Sequence, residues 1–458
     1  MQTPDNQTTS FFQSTTAKMI LVGLLTLALL IPLEFVKNLI LERSQRQSEV
    51  ISEINDKWGE QVFLYGPILK VPYTDYQETV AVDAKTKLAV TQKTAITNYA
   101  YFFPEQLKAN SKVTTKTLNR NNYESAVFSA NMHFSGNYVR PDFSSRAIPN
   151  ENIQWEKATI VIQTTNLKSI RNEMKINLGR TELAFQPVYE SDGKVTTPQS
   201  AEAKEEAITD RLETGYFDLS EFLANGQADF SFNIDYNGSQ QIKMAPIGKT
   251  TQLQMQSNWK SPSFTGNFLP EKQITANGFT ANWKVLHINR AFPQQFFDTL
   301  PDLSRYAFGV DFVIPVDQYQ QNERASKYGF LVIGLTFLIF FLIQSISKIN
   351  IHIFQYSMIG LALIMFYTLL ISITEHSSFR DAYLISAGSV IAMIGLYSIS
   401  ILKNKKFPLF ISLSLTALYS FIFVIIQLEN YALLVGSIGL FAILGAVMYF
   451  SRKIDWSR

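Results

Sequence analysis

The sequence predicts a membrane protein of the α+β class, with one N-terminal transmembrane helix, a large β-rich domain of antiparallel strands in water, and a C-terminal block of five transmembrane helices. Three observations predict it. Uncharged apolar runs long enough to span a bilayer, ~18 residues or more, occur once near the start and five times after residue 327. Residues 42–327 between them have soluble composition and alternate apolar with polar side chains, the period of a strand with one wet face. Lysines and arginines collect in alternate loops of the C-terminal block, as the positive-inside rule leads one to expect.

Behind an N-terminal segment over 1–18, the run Met19–Leu33 is extended by EFVKNLIL into a transmembrane helix over 19–41. Only Lys18 immediately precedes it and no A-x-A site follows, so it reads as an uncleaved anchor rather than a signal peptide. The stretch ERSQRQSEVISEINDKWG reads as a helix leaving the membrane. Val50, Ile51, Ile54 and Trp58 share a face, and Gly59 is its stop.

Beyond Gly59 the period becomes two. Phe128, Ala130, Met132 and Phe134 alternate with polar residues, as do Phe230, Phe232, Ile234 and Tyr236, and later Phe279, Ala281, Trp283 and Val285. Asn237-Gly238 directly after the second set reads as a type I′ hairpin turn. Residues 190–214 are nearly free of large apolar side chains and read as an exposed loop, dividing the domain into lobes over 60–188 and 215–315. FSGNY (134–138) and FTGNF (264–268) raise an internal duplication that five residues are too few to establish. Pro315 ends the strands, and Asp317 with Gln320 three residues on reads as a capping box opening a helix that enters lipid near Tyr328.

The remaining spans are expected over 328–346, 353–373, 382–402, 407–428 and 431–450, with a tail over 451–458. Lys348, the three lysines of 403–406, and Arg452, Lys453 and Arg458 lie on one side; Arg380 is the only basic residue in the short loops of the other. The basic side is expected in the cytoplasm with both termini, and residues 42–327 outside.

Composition excludes much chemistry. The chain has no cysteine, so no disulfide, thiolate ligand or cysteine nucleophile exists. A net charge of +2 gives no basic field for nucleic acid. Four scattered histidines make no zinc motif, and no nucleophile elbow, P-loop or dinucleotide fingerprint occurs, so no cofactor or metal is expected. Glu34 and Lys37 read as a snorkelling pair on the first helix. In LLISITEHSSF, Glu375 and His376 close an apolar span. They read as an interfacial cap, hydrated or paired with Arg380 or Asp381; the alternative is a functional polar site between membrane helices, comprising Glu375, His376, Arg380 and Gln344.

Several segments together resemble the CreD family of bacterial inner-membrane proteins, the cell envelope integrity proteins. They include WGEQ and GPILKVPY, PIGKTTQLQMQSNWKSPSFTGNFLP, VDFVIPVDQYQQNERASKYGFLVIGLTFLIFFL and QYSMIGLALIMFYTLLISITEHSSFRDAYLI. The resemblance covers nearly the full length. It implies one N-terminal anchor, a large periplasmic domain, a C-terminal helix block, a role in envelope maintenance and regulation by the Cre two-component system. It brings no established reaction. The family commonly has glutamate where Gln344 stands and proline where Ile353 stands. The expected function is therefore non-enzymatic: an outer domain that binds an envelope component or a periplasmic protein, anchored in the lipid bilayer. The alternative is a transporter or intramembrane enzyme acting on a lipid-linked molecule. Oligomeric state is not legible.

Overall fold

A computed structural model describes residues 15–82, 89–120, 123–188, 210–220, 226–314, 318–347, 349–402, 406–428 and 431–452. The chain divides into two compact units: Val50–Pro315, here the β unit, and Met1–Glu49 with Val316–Arg458, the helix unit.

The β unit contains β1 (Val62–Val82), β2 (Ala89–Phe102), β3 (Gln106–Arg120), β4 (Tyr123–Val139), β5 (Thr159–Thr164), β6 (Lys175–Leu178), β7 (Thr181–Pro187) and β8 (Asp210–Thr214). It continues with β9 (Gln227–Ser239), β10 (Gln241–Met244), β11 (Thr250–Ser257), β12 (Pro262–Gly266), β13 (Glu271–Thr275), β14 (Gly278–Leu286), β15 (Gln295–Phe297) and β16 (Phe308–Phe312). Hydrogen bonding runs in the order β12-β16-β10-β1-β5-β8-β7-β6-β9-β4-β3-β11-β14-β13, with β2 on β1 and β15 on β2. The alternating residues named above on β4, β9 and β14 are all buried. Each large apolar side chain so removed from water stabilises by about 1.5–3 kcal/mol. Phe134 stacks on Phe232 across the β4–β9 pair, centroids 4.7 Å apart. Phe264 of β12 meets Phe279 and Trp283 of β14 at 5.5 and 5.9 Å. The two ends of the strand path thus close on one core.

Four expectations change here. Among the described residues, pairing is antiparallel except for β1 with β10 and β3 with β11, which are parallel. Strands from 60–188 and 215–315 pair with each other, β4 with β9 and β3 with β11 among them, so the two sequence halves interleave. Of the loop expected over 190–214, residues 210–214 form β8, with Leu212 and Thr214 buried; 189–209 lie outside the described residues. Finally, Asn237-Gly238 makes no hairpin turn, because β9 runs straight through it. A Cβ on Gly238 would lie 2.4 Å from the Phe128 ring and 2.8 Å from Val62, and Asn237 accepts a hydrogen bond from Ser129. The glycine serves ring packing, and the chain bends one residue past the strand end, at Gln240, whose φ is +60°.

The helix unit holds most of α1 (Thr15–Trp58), then α2 (Gln318–Lys327), α3 (Gly329–Ser347), α4 (Ile353–Thr374), α5 (Phe379–Leu402), α6 (Lys406–Gln427) and α7 (Ala432–Ser451). Six of these helices are long and apolar enough to cross a membrane. The helices expected over 19–41 and from Glu42 onward are one continuous α1 of 44 residues, about 66 Å at 1.5 Å per residue. Pro32 lies within it without ending it. Leu29 and Leu33 of α1 are buried where Gly360 of α4 and Gly329 of α3 leave no side chain in the way. Past Val50, α1 joins the β unit: Trp58 Nε1 donates to the Phe128 carbonyl at 3.2 Å, and Ser125 Oγ donates to Asn55 Oδ1 at 2.7 Å. Gly59, at φ +148°, ends the helix.

Candidate functional site

The Thr374–Arg380 corner, where α4 ends and α5 begins, gathers groups from three helices of the helix unit. Glu375 is the C-cap of α4, its N–H bonded to the Ile371 carbonyl. Its carboxylate pairs with Arg43 of α1, Oε1 to Nη1 at 3.4 Å, while its side chain is 23% exposed. Thr374 is buried. Its hydroxyl donates to the Leu370 carbonyl at 2.6 Å and lies 3.5 Å from Asn322 Oδ1 of α2. Gln318, in the first turn of α2, donates to the Thr374 and Ser377 carbonyls at 3.2 Å each once its amide nitrogen faces them. One corner thus holds both chain segments that lead to the β unit: α1 before it and α2 after it.

The partners differ from those expected. Asp381 bonds Ser378, whose Oγ accepts from the Asp381 N–H at 3.2 Å and donates to its carboxylate at 2.8 Å, capping α5. Glu375 instead takes Arg43, far away in sequence. His376 and Arg380 are exposed. Gln344 is not part of the corner. It is buried in α3 and accepts a hydrogen bond from the Tyr356 hydroxyl at 2.9 Å, one turn into α4. That is 19 residues from Glu375, about 28 Å along the helix. Asp317 lies outside the described residues, and Gln320 falls in the first turn of α2. Glu34 and Lys37 form the expected pair at 3.1 Å. His352 caps α4, its Nδ1 accepting from the Phe354 N–H at 3.2 Å. Ile353 therefore occupies the first helical position, where the proline of the resembled family also fits.

Beneath the corner, the helix unit buries more polar groups than the sequence suggested. Asn322 is wholly buried, and its Nδ2 has no hydrogen-bond partner among the described residues. The same holds for Ser386 Oγ on α5 and the Tyr419 hydroxyl on α6. The Tyr383 hydroxyl donates to the Tyr419 carbonyl at 2.8 Å, and Phe366 packs against Tyr367, Tyr383 and Tyr419. An unpaired polar group in so apolar a setting costs about 1–3 kcal/mol. Only helix–helix contacts bring these residues together, so no local motif announces them.

The β unit carries a separate polar groove of about 410 Å³. Lys112, Thr114, Gln256, Asn258 and Gln273 line it, with Phe279 among them. Asn258 is held rigidly, accepting from the Thr115 N–H at 2.7 Å and donating to its carbonyl at 2.9 Å. Elsewhere in this unit, Arg290 is buried. It donates to the carbonyls of Ile247 and Phe292 at 3.0 and 3.1 Å and to Gln294. Desolvation pulls its guanidinium down to about 10, still charged at neutral pH. Burial, then a 2.6 Å hydrogen bond to Asp298, pushes the Tyr73 phenol up to about 12. Among the described residues, no three acidic or histidine side chains could share a metal.

A family model described as Inner membrane protein CreD matches residues 14–457. Inner membrane protein CreD of Escherichia coli (strain K12) is 27% identical over 443 residues, which cover 94% of this chain and 91% of that protein.

Proposed function

Because the chain belongs to the CreD family of inner membrane proteins, we propose that it supports cell envelope integrity without catalysis. Its β unit is the binding part, taking an envelope component or a periplasmic protein, and its helix unit is the anchor. Both termini are cytoplasmic and residues 42–327 periplasmic, the orientation that the distribution of lysine and arginine favours. The observation that carries this reading is the corner at Thr374–Ser377, which grips both the helix before the β unit and the helix after it. Such a double attachment suits a domain tethered at both of its ends, and the groove at Lys112–Thr114 and Gln256–Asn258 is a polar surface on which a ligand can sit.

A photo-crosslinking side chain placed in the full-length protein at Thr114 or Gln273 tests the binding reading. Adducts are expected in growing cells from these positions and not from Tyr216. Equal adduct yields at all three positions, or none, count against it. The absence of cysteine makes orientation directly testable. A single cysteine at Asn277 should react with a membrane-impermeant maleimide in spheroplasts, and one at Ser451 only after lysis. The reverse pattern overturns the orientation.

One observation favours a second reading, transport or chemistry on a lipid-linked molecule: the unpaired buried groups of Asn322, Ser386 and Tyr419. An Asn322→Leu variant discriminates. The variant removes an unpaired Nδ2 together with a long 3.5 Å contact from Oδ1 to Thr374, whose hydroxyl keeps its Leu370 bond, so stability should stay near that of the wild type. Loss of envelope function at undiminished stability would favour this reading, and full function would remove it. Normal envelope resistance in a Glu375→Gln, His376→Asn double variant would remove those two residues from it.

A further inference from the structure

The helix unit contains a larger cavity that plays no part in the corner. About 760 Å³ lies between α3, α6 and α7, within the size range of sites that hold small apolar ligands. Its walls are hydrocarbon, from residues such as Leu335, Leu342, Phe410 and Ile443. One end is different. There Ser347, the last residue of α3, and Lys406, the first of α6, both line the groove. Arg452, just past the end of α7, lies over the Tyr449 ring at 4.1 Å on the same side.

Length and charge together identify an occupant. From Leu335 to Ser347 the groove follows α3 for 12 residues, about 18 Å. Half of a ~30 Å hydrocarbon core is about 15 Å, so the groove matches a single leaflet. Its third wall is thin: α7 has no buried residue in its most apolar window, and Gly439 turns its bare backbone toward the Phe421 ring. An occupant must be apolar over one leaflet and carry a group that suits an ammonium at the membrane surface. We infer that this groove is a binding site for an anionic phospholipid from the leaflet on the Lys406 side. An acyl chain lies against α3 and α6, and the phosphate meets the Lys406 ammonium. Basic residues beside grooves between membrane helices recognise anionic headgroups in this way, and a lysine at a helix end reaches the headgroup plane with its charge while its stem stays in the apolar layer.

The test uses the full-length protein, extracted in mild detergent and examined by native mass spectrometry, then returned to nanodiscs of phosphatidylethanolamine with or without phosphatidylglycerol. The wild type should retain phosphatidylglycerol in preference to phosphatidylethanolamine, and its thermal transition should rise when phosphatidylglycerol is present. Lys406→Glu should lower that retention at least about fivefold, the factor that one basic residue supplies, whereas Lys406→Arg keeps it. Ala417→Trp, which fills the groove from an exposed position, should abolish retention, and Ile399→Trp, on the lipid-facing side of α5, should not. Retention without headgroup preference, or unchanged in both Lys406→Glu and Ala417→Trp, overturns the inference. So does a disulfide-linked dimer of an Ala417→Cys variant, which would put a second copy of the chain in the groove.

Discussion

Glu375 shows what a single residue reveals in sequence and what it withholds. Its place at the end of an apolar span was legible, because span length sets where a helix leaves the bilayer. Its partner was not, because no spacing rule connects position 375 with Arg43. Arg43 is 45% exposed, so water screens the pair and its contribution is small. Glu375→Gln alone should cost the helix unit up to about 1 kcal/mol, and exchanging the charges as Arg43→Glu with Glu375→Arg should restore most of it, measured by thermal denaturation in nanodiscs. Tyr73 gives a pH dependence. Its folded value of about 12 exceeds the ordinary phenol value of 10.0, so the folded β unit holds a proton that the unfolded chain has lost between those values. Stability from this group is complete below pH 10 and is lost as pH rises through 12. Tyr73→Phe should flatten part of the alkaline decline in β-unit stability; the slope remaining belongs to groups such as Tyr65 and Tyr236, which burial also shifts upward.

At the scale of elements, α3 to α7 fall on the five apolar runs, and the strands fall on the alternating ones, because both periods are written in side-chain polarity. The misreading of Asn237-Gly238 has a definite cause. Turn chemistry and the need for a bare backbone under an aromatic ring select the same residue, and sequence cannot separate them. Gly238→Ala should therefore act as overpacking, lowering β-unit stability by about 1–3 kcal/mol, and Phe128→Leu in the same chain should recover part of the loss. If the position were a hairpin turn, the second change would bring no recovery. The helix expected to leave the membrane after Leu41 is continuous with the span before it, because the sequence turns polar at Glu42 while remaining helix-forming.

For the whole molecule, fold class was readable but strand pairing was not, since pairing between distant segments leaves no local trace. The interleaving has a testable result. Residues 1–200 and 201–458, expressed as separate chains, should each fail to form the β unit, whereas co-expression should let a tag on one half recover the other. Independent folding of both halves would contradict the pairing of β4 with β9 and β3 with β11. The same pairing sets a schedule for biogenesis. As the chain leaves the ribosome, β1 meets β2 early, but its parallel neighbour arrives only with Ile242, and β16, which flanks that neighbour, ends at Phe312. The nascent segment must therefore travel almost to its end before its interior can close. Until then it is a substrate for whatever holdases and proteases patrol that side of the membrane.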